Sequence, residues 1–157
     1  MKRTLALLVF LAACGTDGSP GDDFMGTWMY NSGSSTTTTC PNGSTTDTET
    51  GSFTVSEGTM SDLIVNPGSG DQCPPRKFDV NGKVATIVAG QTCMYMVNDP
   101  DLGNVTVNAA FATGTFTLSA DKKMISGTGG GTLMLSNAAG NVTCSFTTTM
   151  SATKVGN

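Results

Sequence analysis

Histidine is absent from the chain, and with it the Ser–His and Cys–His pairs on which ordinary nucleophilic hydrolysis depends. Charged residues make up only 13% of the sequence and aromatics 6%. Beyond Lys2-Arg3, the Lys and Arg are scattered apart from Arg76-Lys77 and Lys122-Lys123, and the eight basic residues in all are outnumbered by 12 acidic ones. Nucleic-acid binding needs a basic stripe to neutralise phosphates, so this balance speaks against it. The five cysteines contain no close CxxC pair, the spacing of a structural zinc site. Glycoside cleavage could proceed on two carboxylates alone, but none is marked as core-facing. Asp22-Asp23, Asp47 with Glu49, and Asp99 with Asp101 fall in a tether, a Thr-rich segment and a turn, where solvated charge is expected. The expectation is a protein that is not an enzyme and carries no metal or cofactor.

The N-terminus is rich in a different signal. Met1-Lys2-Arg3 carries two positive charges, and the run from Thr4 to Ala13 is almost purely apolar and closes on small residues. This is the layout of a secretory signal, too short to span a bilayer as a helix. It ends in Leu11-Ala12-Ala13-Cys14, which resembles the lipobox of bacterial lipoproteins. The resemblance implies cleavage before Cys14 and attachment of a diacylglyceryl group and an acyl chain such as palmitate to that residue, enough for stable membrane anchoring. Gly15, rather than Asp, follows the cysteine. This resembles lipoproteins sent to the outer membrane and implies a cell-envelope address facing the periplasm or the exterior. The expected organisation is a signal peptide at 1–13, a lipidated cysteine and flexible tether at 14–23, and one domain at 24–157. Loss of Lys2 and Arg3 takes the net charge from −4 to −6.

Four cysteines remain in the exported body: Cys40, Cys73, Cys93 and Cys144. An even number in an oxidising compartment reads as two disulfides. Abundant Thr, 20 Gly and little charge favour strands. Alternation is clearest where Val142, Cys144, Phe146, Thr148 and Met150 share one parity and Thr143, Ser145, Thr147, Thr149 and Ser151 the other, as in a half-buried antiparallel strand. Strands are expected near 25–39, 44–56, 59–66, 74–80, 83–97, 104–118, 123–136 and 141–152, with a two-residue hairpin turn at Asn81-Gly82. A bulge near Gly114 would bring Val105, Val107, Ala109 and Phe111 to the same face as Phe116 and Leu118. Ser32 to Thr50 is rich in Ser and Thr and has little to bury. Asn98 to Asn104 clusters oxygen donors as a calcium loop does, but has equally the composition of a plain turn. Met94 and Met96 share a parity; thioethers ligate copper, yet such pairs more often fill gaps in a core.

Eight sequential strands with short links predict an all-β, up-and-down antiparallel barrel, because closure removes exposed edges; a two-sheet β-sandwich is the alternative. Gly26-Thr27-Trp28 resembles the G-x-W signature of lipocalin-like barrels. There the Trp closes the barrel floor beneath a basic side chain from the last strand, a role the resemblance gives here to Lys154. If the last strand closes on the first, a register that sets Trp28 opposite Lys154 also brings Cys40 almost opposite Cys144. The expected disulfides are therefore Cys40–Cys144 and Cys73–Cys93. Such a barrel has room for side chains or for one small ligand. Two functions follow: a membrane-anchored module binding a small apolar ligand, lined by Phe53, Phe78, Tyr95, Phe111, Phe116 and Phe146, or a structural or interaction lipoprotein of the envelope in which those rings fill a solid core and an envelope protein is the partner.

Overall fold

The computed structural model describes residues 18–68, 71–100 and 103–156; the signal segment and the lipidation expected at Cys14 lie outside them. A short 3-10 turn at Asp22–Phe24 leads into eleven strands. These are β1 (Gly26–Tyr30), β2 (Ser35–Cys40), β3 (Gly43–Thr48), β4 (Ser52–Glu57), β5 (Leu63–Asn66), β6 (Arg76–Asn81), β7 (Val84–Ile87), β8 (Thr92–Asp99), β9 (Gly103–Leu118), β10 (Met124–Asn137) and β11 (Gly140–Gly156). They are the eight expected strands with three of them broken: the first into β1 and β2, the second into β3 and β4, the fifth into β7 and β8.

Every neighbouring pair is antiparallel. The order β1-β4-β5-β6-β7-β9-β10-β11 closes when β11 pairs with β1, giving an eight-stranded barrel rather than a sandwich. In the ring Trp28 faces Lys154 directly. The upper half is different. There β11 pairs with β2, β2 with β3, and β9 with β8, while β3 and β8 have no further strand partner among the described residues. The barrel is thus closed below and slit above.

The breaks are healed by polar side chains that stand in for backbone pairing. Between β1 and β2, Ser34 is buried; its hydroxyl donates to the Ser151 carbonyl (2.9 Å) and accepts from the Ser151 N–H (3.0 Å). Between β7 and β8, the Gln91 side chain accepts from Lys77 N–H (2.8 Å) and donates to the carbonyls of Lys77 and Val88 (both 2.9 Å). A buried backbone group without a partner costs about 1–3 kcal/mol, so these contacts let the strands bend away without that loss.

The core fills the closed half. Phe24, Trp28, Leu63 and Ile125 are almost completely buried, together with Phe53, Val55, Phe78, Leu118 and Met150. Trp28 is 0% exposed and its indole N–H donates to the Phe24 carbonyl at 2.8 Å, which closes the floor from inside. Lys154 Nζ stands 5.7 Å from the Trp28 ring. On β9 the extra residue is Ala112, where pairing with β10 shifts between Gly130 and Gly131, and it restores the inward face as expected. Gly127 and Gly131 leave room for the rings of Phe116 and Phe146, which an added Cβ would meet.

Three expectations are corrected, and the strands expected within the Ser/Thr-rich stretch are present. Gly21 is buried against Leu63 and Asp22–Phe24 is helical, so the body begins at Gly21 rather than at residue 24. The β6–β7 turn is centred on Gly82-Lys83, with Asn81 paired to Val84; Gly82, at φ +59°, occupies the first central position, where a positive φ excludes most side chains. Residues 35–40 and 43–48 of the Ser/Thr-rich stretch are paired strands, supported by Thr37–Thr46 and Ser44–Thr39 hydroxyl contacts. Met94 and Met96 do not fill a core: they point outward, 72% and 60% exposed, because Tyr95 between them takes the inward position.

Both disulfides form as paired above. Cys40–Cys144 joins β2 to β11, and Cys73–Cys93 ties the 67–75 segment to β8. They close loops of 104 and 20 residues. The chain-entropy model then predicts losses of about 5 kcal/mol for Cys40→Ala/Cys144→Ala and about 3 kcal/mol for Cys73→Ala/Cys93→Ala. Urea unfolding of the two double variants checks this, and the opposite order of stability would contradict it.

Candidate functional site

The slit creates a cavity. Above the filled floor lies a space of about 340 Å³, bounded by Asp47 of β3 on one side and Tyr95 of β8 on the other. Asp71 and Cys73, from the segment that the second disulfide ties down, also line it. Its apolar walls are Ala109, Phe111, Leu133 and Phe146. Tyr30, Arg76, Phe111, Phe146 and Thr148 border it and also border a smaller space of about 90 Å³ beneath, which Phe78, Ile87, Phe116 and Met150 complete. The two chambers therefore share a wall of side chains. A further hollow of about 450 Å³ lies among the hairpin tips near Cys40, Asn42 and Val142, but no charged side chain lines it.

Parity places the polar groups inside. Arg76 shares its parity with the core residue Phe78, and Tyr30 with Trp28. On β3, Asp47 pairs with Thr36, whose side chain also lines the cavity, and Glu49 follows two residues on. Glu49 is held by a short hydrogen bond from the Thr36 hydroxyl (2.6 Å), and that hydroxyl lies 2.8 Å from Thr148 Oγ1. Across the cavity the Arg76 guanidinium rests over the Phe111 ring at 4.8 Å and donates from Nη2 to Asp71 at 2.9 Å. Its Nε is buried without a partner among the described residues.

Both tyrosines of the chain line this space. Burial pushes the Tyr30 phenol above its ordinary value of 10.0; the Glu49 and Asp71 carboxylates push the same way and Arg76 opposes them. Tyr95 is raised by burial and then by Asp71, again against Arg76. The site thus combines apolar walls with two phenols, three carboxylates and one guanidinium.

Of the six rings expected to line a ligand site, Tyr95, Phe111 and Phe146 border the larger chamber and Phe78 and Phe116 the smaller. Phe53 does not. It is buried in the floor core, with the Tyr30 ring 4.9 Å away between it and the cavity. Asp47 is exposed, as expected of a charge in a Thr-rich segment, but it and the half-buried Glu49 border the cavity. Tyr30, Asp71 and Arg76 were not singled out, although parity with Trp28 and Phe78 marks two of them. Asn98 pairs with Asn104 and Asp99 with Gly103, so this segment is the hairpin turn between β8 and β9, part of it outside the described residues. Among the described residues no three His, Cys, Asp or Glu side chains converge as metal ligands. No protein-family model, curated protein or solved structure matches the chain.

Because the chain has only two tyrosines, its alkaline absorbance titration reports on the cavity alone. The unfolded chain releases phenolic protons near pH 10 while the folded chain holds them. Stability should therefore decline as pH rises from about 10 through the folded values. We predict a tyrosinate midpoint above that of free tyrosine, moved part of the way back by Glu49→Gln. A midpoint at the ordinary value would contradict the enclosure of both rings.

Proposed function

We propose that this protein is a lipid-anchored lipoprotein of the bacterial cell envelope, placed in the outer membrane, whose lipocalin-like barrel holds one small, largely apolar ligand in its upper half. The observation that carries the reading is the 340 Å³ cavity above a filled floor. A volume near the lower end of the range for ligand pockets, about 300–1,000 Å³, fits a small molecule. Phe111, Phe146, Leu133 and Ala109 supply the apolar contact. The alternative of a solid-cored structural lipoprotein suits only the closed half.

The lipobox-like Leu11-Ala12-Ala13-Cys14 precedes a chain that joins the body at Gly21, next to the floor, where Phe24 caps Trp28. The cavity occupies the other half of the barrel, so a lipid anchor attached ahead of Gly21 would approach from the floor side rather than from the slit.

Two measurements test the reading. Cys14→Ser should abolish incorporation of labelled palmitate and release the protein from the membrane fraction; retention of label would overturn the anchor. Native mass spectrometry of protein taken from its host's membranes should show a co-purified small molecule. Ala109→Leu, which adds bulk to a buried wall residue, should lower its occupancy. A clean apo mass that persists through challenge with lipids and small amphiphiles would remove the ligand-binding function.

A further inference from the structure

Pure apolarity leaves half of the cavity lining unexplained. A guanidinium has five N–H donors in a rigid fork. Among the described residues the Arg76 fork makes one hydrogen bond, from Nη2 to Asp71, and its buried Nε makes none. The Nη donors that Asp71 leaves free belong to a part-exposed side chain lying over the Phe111 ring, so this end of the cavity offers charge-assisted donors to an oxygen acceptor. The charge count adds a second demand. Asp71 already neutralises Arg76. Glu49 and Asp47, on the β3 side, have no ion pair within the described residues, and Glu49 is held in place by Thr36. An acceptor carried on a simple anion would meet these carboxylates across the same small space.

We infer that the occupant is a small zwitterionic molecule of the amino-acid type, with its ammonium set against Glu49 and Asp47, its oxygen acceptor on the Arg76 guanidinium, and its apolar side group against Phe111 and Phe146. The inference rests on the ligand-binding reading above and names its chemical class. One molecule answers both demands: its cation balances the unpaired carboxylates and its acceptor takes the spare donors. The Tyr30 and Tyr95 rings, which border the same space, offer π faces to the ammonium. The shared chemistry, an ammonium and an acceptor oxygen on one apolar residue, belongs equally to a free amino acid and to the N-terminus of a short peptide.

Calorimetry on the full-length protein in detergent distinguishes these cases with phenylalanine, phenylalaninamide, phenylpropionate, phenethylamine and decanol as probes. Phenylalanine should bind, and removing its amine (phenylpropionate) or its acceptor (phenethylamine) should each weaken binding by roughly tenfold or more. Phenylalaninamide binding as well as phenylalanine would assign the site to peptide N-termini; weaker binding would assign it to free amino acids, and both outcomes support the class. Arg76→Lys, which keeps the charge opposite Asp71 but removes the fork, should erase the penalty for losing the acceptor. Glu49→Gln, which keeps an acceptor for Thr36, should erase the penalty for losing the amine. Decanol or phenylpropionate binding as tightly as phenylalanine, or phenethylamine doing so, would overturn the inference and leave the ligand-binding function standing. Absence of binding by every probe, together with a clean apo mass, would take both down. The probe series on the unaltered protein decides the matter even where a variant fails to fold.

Discussion

The structure depends on the pairing of β1 with the end of β11. That contact turns a meander into a ring and shuts the ring over Trp28, the largest completely buried side chain. An open meander of this length would expose two edges and leave the indole half wet, losing much of the stabilisation of a buried aromatic. Closure also fixes the chain's entry. The 3-10 turn at Asp22–Phe24 packs beneath the ring because the Phe24 carbonyl accepts the only proton that a buried Trp must place.

What is closed below must open above, since β5 and β6 are too short to carry the wall upward. β9, β10 and β11 run for 16, 14 and 17 residues, whereas β5 has 4 and β6 has 6. The long strands continue past the ring and recruit β2, β3 and β8 as partners, leaving β3 and β8 as facing edges. Each edge is blunted. The β3 edge is polar and wholly exposed, while the β8 side is crossed by the segment that Cys73 binds to Cys93. A polar side chain marks each departure from the ring, Ser34 on one flank and Gln91 on the other, so the slit is built with its backbone groups satisfied rather than left by poor packing.

Most of this fold was legible in the sequence because a strand's two faces are written in its parity. The closed barrel, both disulfides and the bulge beside Gly114 follow from alternation, turn signals and one register, whereas the Trp28–Lys154 floor was implied by the G-x-W resemblance. The register was nearly but not wholly constant. A two-residue offset separates the Trp28–Lys154 pairing from that of Thr39 with Ser145, and the turn at Asn31–Ser34 absorbs it. Local composition misled where it was read without parity. Asp47 is as exposed as its place among threonines suggests, yet it and the half-buried Glu49 border the cavity, which composition did not mark. Met94 and Met96 look like core fillers, yet Tyr95 holds the inward parity. The division between a filled floor and an open upper half was not legible, because it follows from the shortness of β5 and β6, whose ends no local signal marks.

The polar lining bears on why the upper half is not simply packed. An apolar side chain at residue 49 or 76 would cost nothing in desolvation and would extend the core of Phe53, Phe78 and Phe116 upward. A guanidinium at residue 76 gives up part of its hydration instead, and Asp71 recovers it only in part, since the buried Nε makes no hydrogen bond among the described residues; Glu49, half-buried, has no ion pair among them. Two strand breaks, a disulfide-tied segment and the aromatic walls hold these charged side chains around one space. Stability alone favours an apolar side chain at residue 76, and the charged one there keeps the filled core confined to the lower half.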